Sequence, residues 1–366
     1  MAQTYFATIE PGLEAALLAE VRSLGGKRAS ALKGGVEFDA TNTAFYSGAM
    51  HARCANRLWL RVDEFRARDA PELYNKTARI DWLRLLPPNA RVEVRATVRE
   101  SRLIHTGRIA DSVQKALAQA IGEPAVRGQP FTVLARVVDD RCQLSLDASG
   151  ELLYRRGWKE DVGGAPLRES VAACLLRVAG WEPGTPLYDP MCGSGTFVIE
   201  AAQQTAGIAA GASRDHAFHR WANFRPDLWA EVAREAASTA PSVLHFGSDL
   251  DEVAVERARH NAERAQVADR CDFRVLHVTD VVPPIERRGL VITNPPWNRR
   301  IADPEHNAIA DFLAATRGRF DGWTIACVAP RTYAVPQGLS KAAAFEVGGI
   351  GVRLLLGSSA PPDSRE

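Results

Sequence analysis

Two segments in the C-terminal half carry residue types at spacings that can do chemistry. The first runs Leu187-Tyr188-Asp189-Pro190-Met191-Cys192-Gly193-Ser194-Gly195-Thr196 and leads into the helical Phe197-Val198-Ile199-Glu200-Ala201-Ala202. It reads as a strand end, a turn and a helix start, and its glycines let backbone approach a ligand closely. A dinucleotide site would want Gly-x-Gly-x-x-Gly there, with an acid about 20 residues further on. Position 198 is Val, and the next acid at a strand end, Asp249, comes much later. A phosphate-cradling loop would want Gly-Lys-Ser or Gly-Lys-Thr, and neither occurs.

S-Adenosylmethionine is the common ligand of such a turn that remains. It carries no phosphate, but has an amino-acid end, a ribose diol, an adenine amine and a positive sulfonium. Asp189 suits the ammonium, and Asp249, after Phe246-Gly247-Ser248, can accept both ribose hydroxyl protons with Leu250 beside it. Asp280 can receive the adenine amine. Any one of these acids alone reads as a turn former. Acids after three successive strands match one ligand with several donors. Pro190, Cys192, Gly193, Ser194, Gly195 and Thr196 of the turn complete the expected set.

The second segment is Asn294-Pro295-Pro296-Trp297, directly after the apolar Leu290-Val291-Ile292-Thr293. It falls at the carboxyl edge of an open α/β sheet, where such folds bind ligands. A nucleobase or carboxamide amine has a delocalised lone pair and attacks a methyl sulfonium poorly. The Asn294 side-chain oxygen and the Pro295 carbonyl can accept its two hydrogens and aim the developing lone pair. Proline fixes that carbonyl, and Trp297 offers a flat face to a flipped base, worth on the order of 1–3 kcal/mol. No strong general base is needed, because the proton becomes acidic only once the nitrogen is cationic. The plain alternative is a Pro-Pro loop capped by Asn. The ligand turn in the same domain favours the catalytic reading.

The hydrophobic pattern supplies a scaffold for both segments. From Leu167 onward helices and strands alternate in the order of a doubly wound parallel sheet, an α/β fold, with strands expected at 186–188, 244–247, 272–277, 290–293, 324–329 and 352–356. Upstream, a short apolar run near Phe6, helical patterns over 12–24 and 43–55, and strands at 36–38 and 57–62 make a small α+β unit. A second α+β unit follows, with a helical pattern over 70–80 and strict alternation from Arg91 to Val98. It closes with a stripe of Ile109, Val113, Ala116, Leu117 and Ala120 and strands at 131–138 and 141–146. The expected domains are residues 1–65, 66–158 and 159–366.

With 366 residues, 46% hydrophobic and 24% charged, the chain can form two or three cores, which excludes wholesale disorder, collagen and a coiled-coil rod. Its net charge is +1, so any polyanion site must be local. Between His51 and Arg108, thirteen Lys plus Arg stand against seven Asp plus Glu, a net +6 that leaves −5 for the rest. Such segregation gives a phosphate backbone a local field, although an arginine-rich composition also spreads guanidinium groups over every solvated face. Cys54, Cys142, Cys174, Cys192, Cys271 and Cys327 are scattered, and His216 and His219 beside Asp215 lack further ligands in register. No metal is expected. The first residues have neither a basic n-region nor an apolar h-region, and no run of about 18 apolar residues occurs, so a cytoplasmic protein without a membrane partner is expected.

On these motifs, residues 160–356 resemble the class I, Rossmann-like S-adenosylmethionine-dependent methyltransferases with an Asn-Pro-Pro-aromatic motif. Leu73-Tyr74 through Ile80-Asp81-Trp82, Ile104-His105-Thr106, and Gln143-Leu144-Ser145-Leu146-Asp147 followed by Arg155-Arg156-Gly157-Trp158 resemble a THUMP domain, an RNA-binding module. Residues 1–65 resemble the ferredoxin-like domain that accompanies it. Nearly the full chain is similar to the bacterial large-subunit rRNA guanine-N2 methyltransferases and their tRNA guanine-N2 relatives. Ala165-Pro166-Leu167-Arg168-Glu169 resembles the family segment that packs over the cofactor, which implies a cofactor role for Arg168. The insertion from Phe218-His219-Arg220-Trp221 to Leu228-Trp229 also resembles this family and accounts for the late Asp249. The family usually has Tyr followed by Gly-Glu where this sequence has Trp297 followed by Asn298-Arg299-Arg300. Some relatives carry a second fused methyltransferase domain, where one is read here.

The resemblance implies methylation of the N2 exocyclic amine of a guanosine in 23S rRNA, with tRNA the close alternative. Structured RNA would be held by the THUMP-like region and the basic segment 51–108. Glutamine N5 methylation of a protein uses the same tetrad, but leaves those regions without a task. An RNA-binding protein with an inactive methyltransferase domain is the non-catalytic alternative.

Overall fold

The computed structural model describes residues 2–160, 167–235, 243–296 and 307–358. The N-terminal part runs β1 (Gln3–Thr8), α1 (Glu14–Ser23), β2 (Lys27–Leu32), β3 (Gly35–Ala40), α2 (Asn42–His51) and β4 (Arg57–Arg66). It continues with α3 (Ala70–Ala78), β5 (Val92–Arg99), α4 (Thr106–Ile121), β6 (Phe131–Val138) and β7 (Arg141–Asp147). Local chemistry sets these boundaries. Asp69 accepts from the Glu72 amide at 2.8 Å while Glu72 accepts from the Arg68 amide at 2.9 Å, a reciprocal pair that caps the N-terminus of α3. In α4 the stripe Ile109, Val113, Ala116 and Leu117 is fully buried, whereas β5 alternates and leaves Glu93, Arg95, Thr97 and Arg99 exposed.

All seven strands form one sheet in the order β2-β3-β1-β4-β7-β6-β5. β4 joins its halves, pairing antiparallel with β1 (Phe6 opposite Trp59) and with β7 (Trp59 opposite Asp147). The two α+β units read from the sequence therefore share a backbone ladder. β2, absent from the sequence expectation, is a largely exposed edge strand whose polar Lys27-Arg28-Ala29-Ser30 gives no apolar alternation to read.

The C-terminal part comprises α5 (Glu169–Val178), β8 (Leu187–Asp189), α6 (Thr196–Thr205), α7 (Pro226–Glu235), β9 (His245–Asp249), α8 (Glu252–Arg264), β10 (Cys271–Val275) and β11 (Leu290–Thr293). It closes with α9 (Ala308–Thr316), β12 (Thr324–Pro330), β13 (Leu339–Val347) and β14 (Ile350–Ser358). The sheet order is β10-β9-β8-β11-β12-β14-β13. The first five strands are parallel, but β14 is antiparallel to both its neighbours, which corrects the all-parallel expectation. The reason is local. Gly348 and Gly349 sit at φ +57° and +81° and turn β13 straight into β14, and a hairpin partner must run antiparallel.

Two devices fasten the halves together. Glu200 of α6, fully buried, pairs with Arg53 at 2.9 Å and Arg156 at 3.4 Å, and Arg53 also bonds the Ile208 carbonyl. In the second, Phe45 and Tyr46 of α2 pack against Phe218 of the insertion, with ring centroids 5.1 and 5.2 Å away. Among the described residues no helix is long and apolar enough to cross a membrane, and no group of three or more His, Cys, Asp or Glu could hold a metal ion.

Candidate active site

In the strand order, β8 and β11 are neighbours although three helices and two strands separate them in the chain. This reversal opens a crevice at the carboxyl edge, the place where doubly wound sheets bind ligands. β11 pairs parallel with β8, Val291 opposite Tyr188. Extending that register, with strands about 4.8 Å apart and a rise of about 3.3 Å per residue, sets the Asn294 and Asp189 Cα atoms roughly 8 Å apart. On the other side, β9 pairs with β8, Gly247 opposite Asp189, so Asp249 stands at the same rim.

The glycine turn is built into this rim by its own backbone. Gly195 adopts φ +82° as the residue before α6, and a side chain there would press on Phe273 and Ala258. Gly193 adopts φ +51°, with open space where a side chain would stand. Its amide donates to the Asp249 carboxylate at 2.9 Å, while Cys192 donates to the Ser248 carbonyl at 2.9 Å. Asn261 of α8 donates to the Ser194 carbonyl at 3.0 Å. Pro190 and Cys192 are buried below the turn.

Asp189 is 3% exposed and accepts the Met191 amide at 3.1 Å. Burial lifts its carboxyl to about 7; the nearby Asp249 adds to the rise, and the Thr293 hydroxyl and Met191 amide oppose it. No cation among the described residues pairs with it. Asp249 is half-buried and also accepts the Asp251 amide at 3.0 Å. Each of its oxygens keeps a lone pair for a further donor.

The remaining expected residues divide. Leu250 is exposed beside Asp249, near Val275 at the end of β10, and Asp280 is exposed in a single turn of 3-10 helix at Val278–Asp280. Asn294 is half-buried, Pro295 buried and Pro296 exposed. Trp297, Ala165 and Pro166 lie outside the described residues. The Arg168 guanidinium meets Glu10 at 2.6 Å and lies over the Tyr154 ring at 4.9 Å. Sequence reasoning missed Lys159, whose ammonium donates to the Thr196 hydroxyl at 2.9 Å and to the Leu167 carbonyl. A lone lysine beside Trp158 carries no motif that would have found it.

Comparison with known proteins fits this geometry. Residues 4–59 match the RlmL ferredoxin-like domain, residues 67–147 the THUMP domain and residues 156–335 the RMKL-like methyltransferase domain. A Synechocystis sp. protein that carries the name of an RNA methyltransferase, slr0064, is 34% identical over 335 residues, 87% of this chain and 86% of that protein. The chain belongs to the THUMP-containing RMKL-like methyltransferases. Among solved structures, the methyltransferase SMU.472 complexed with S-adenosylhomocysteine is 26% identical, with a TM-score of 0.86 over 99% of both chains. A Listeria monocytogenes protein carrying the name of an N6-adenine-specific DNA methylase is 28% identical, with a TM-score of 0.85 over 97% of this chain and 96% of that one. This THUMP methyltransferase is S-adenosylmethionine-dependent.

The basic segment of the THUMP methyltransferase is smaller in effect than its count. Besides Arg53, Arg57 is taken by Asp147, and Arg61 by Glu37 at 3.1 Å. Arg95 and Arg99 do face solvent on the β5 edge, with exposed partners Glu93 and Glu100 at 3.0 Å. Such pairs are worth little and exchange readily for phosphate. A second gathering of guanidinium groups was scattered in the sequence. Arg155, Arg156, Arg214 and Arg220 line a groove of about 460 Å³ between the β6–β7 end and the insertion. Burial and the neighbouring Arg156 push Arg214 down to about 10.

Proposed function

We propose that this THUMP methyltransferase methylates the N2 exocyclic amine of a guanosine in 23S rRNA. The observation that carries the reading is the adjacency of β8 and β11, which sets the Asp189 and Asn294 rims around one crevice. The residues there fit the cofactor. A buried acid without a cation suits an ammonium, and the open face of Gly193 admits close backbone approach.

In this reading Asp189 holds the ammonium, Asp249 the ribose diol and Asp280 the adenine amine, with Leu250 and Val275 as apolar walls. When bound, S-adenosylmethionine supplies an electrophilic methyl group. Asn294 and Pro295 accept the two hydrogens of the guanine amine, which localises its lone pair and stabilises the positive charge that develops on nitrogen. Pro296 stiffens that carbonyl, and Trp297 stacks on the base. In the same reading the domains divide at 1–65, 66–158 and 159–366, with structured RNA held by THUMP and by the exposed arginines of the basic segment 51–108.

RNA is favoured because the THUMP match and the name of the Synechocystis relative both point to it. The Listeria relative's name favours adenine N6 as a second acceptor, since an Asn-Pro-Pro-aromatic tetrad can handle either amine. The test is incubation with methyl-labelled cofactor and either rRNA, tRNA or a release-factor protein, followed by nucleoside analysis. Label in N2-methylguanosine of rRNA supports the proposal, and label in tRNA moves the substrate. Label in N6-methyladenosine or in protein only overturns it.

A further inference from the structure

The acids at the rim can satisfy the donors of the cofactor, but nothing in that set answers its carboxylate. Asp189, Asp249 and Asp280 are all acids and offer no positive charge, and Arg168 is engaged by Glu10. Other cations near the turn are also committed. Arg259 pairs with Glu256 and donates to the Phe273 carbonyl, and Arg264 donates to the Trp158 carbonyl at 3.0 Å.

Lys159 differs. Its ammonium reaches the first residue of α6, donating to Thr196 at 2.9 Å and to the Leu167 carbonyl. Both acceptors are uncharged, and no carboxylate among the described residues forms an ion pair with it. Burial pushes its pKa down, opposed by the field of Glu169, which is itself buried and shifted toward its neutral form. A half-buried ammonium with one proton uncommitted is poised for a charged acceptor. The glycine turn stands directly before Thr196, so that acceptor would come from a ligand lying on the turn.

We propose that Lys159 is the counter-charge for the carboxylate of the cofactor's amino-acid end. Asp189 and Lys159 would then read the two ends of one zwitterion, the acid from β8 and the base from the segment leading into α5. The inference rests on the assignment of the glycine turn to the cofactor. It makes Lys159 a binding residue at a position where the sequence pointed to Arg168.

The test compares S-adenosylhomocysteine with its decarboxylated analogue, which keeps the thioether and the amine. Binding of both is measured by calorimetry to the full-length wild type, Lys159→Met, Lys159→Gln and Lys159→Arg, with folding checked by thermal unfolding. The wild type should prefer the carboxylate-bearing ligand, and Lys159→Met should weaken that ligand by about 10- to 50-fold while changing the analogue by less than about 2-fold. Lys159→Arg should restore most of the preference. Lys159→Gln, which keeps a donor to Thr196, should behave like Lys159→Met and stands in if the latter does not fold. Equal losses for both ligands, or no wild-type preference, would overturn the inference. Asp249→Ala serves as the control and should weaken both ligands alike. Failure there sinks the site assignment, whereas failure of carboxylate discrimination sinks only Lys159.

Discussion

The Gly193 amide donates to a carboxylate oxygen of Asp249 at 2.9 Å, so one acid both shapes the turn and stands at the rim where a ribose would lie. The other oxygen takes the Asp251 amide at 3.0 Å, which fixes the rotamer. Asp249→Ala therefore loses charge-assisted bonds worth about 1.5–3 kcal/mol each. S-Adenosylhomocysteine affinity measured by calorimetry should fall about 10- to 100-fold. Unchanged affinity would remove Asp249 from the site.

Asn294 is expected to act on the acceptor alone. Asn294→Ala should lower kcat about 100-fold or more, because a hydrogen bond that strengthens in the transition state is lost. Cofactor and RNA affinities, measured separately, should stay within about 2-fold of wild type. A variant that keeps its turnover would refute the role.

Asp189 makes the ligand-free protein sensitive to pH. Its folded-state value is about 7 against an ordinary 3.8, so between those values the folded protein keeps a proton that the unfolded chain releases. Stability then falls as pH rises through this window, by up to about 1.4 kcal/mol per pH unit. Thermal unfolding of wild type and Asp189→Asn at about pH 5 and about pH 8 should show the drop in the wild type only. An ammonium ligand favours the ionised acid, so S-adenosylhomocysteine should bind more tightly at the higher pH.

The ion-pair cluster at Glu200 is structural. Removing Arg53 leaves a fully buried carboxylate short of its 2.9 Å partner. Arg53→Ala should cost about 3–5 kcal/mol in denaturant unfolding, whereas an exposed pair such as Arg95–Glu93 should cost less than about 1 kcal/mol.

RNA binding should divide the arginines of the basic segment by exposure. Arg95→Ala and Arg99→Ala should weaken RNA binding and reduce its log–log salt slope by about 1 each. Arg57→Ala, held by Asp147, should lower stability and leave that slope unchanged. Equal slopes for all three variants would move the footprint elsewhere, the Arg155–Arg220 groove being the first place to look.

The sequence exposed those parts of the molecule whose constraints are local. The turn at Asp189–Thr196 and the tetrad at Asn294 are contiguous, and β5 and α4 declare themselves by periodicity. Long-range relationships left weaker traces. β13 reads Leu339-Ser340-Lys341-Ala342-Ala343-Ala344-Phe345, with little alternation, because its partner β14 supplies the ladder that makes it a strand. Arg53 looked like one more free cation until Glu200, far along the chain, claimed it. The partners of Arg168 and Lys159 were hidden for the same reason, since Glu10 and Thr196 stand 158 and 37 residues away from them along the chain.

The most direct test is a nucleoside inventory of rRNA and tRNA from cells lacking the gene, compared with cells complemented by wild type or Asn294→Ala. The account predicts that an N2-methylguanosine disappears from 23S rRNA and returns with the wild type but not with the variant. An unaltered N2-methylguanosine content in both RNA pools, or restoration by Asn294→Ala, would contradict it.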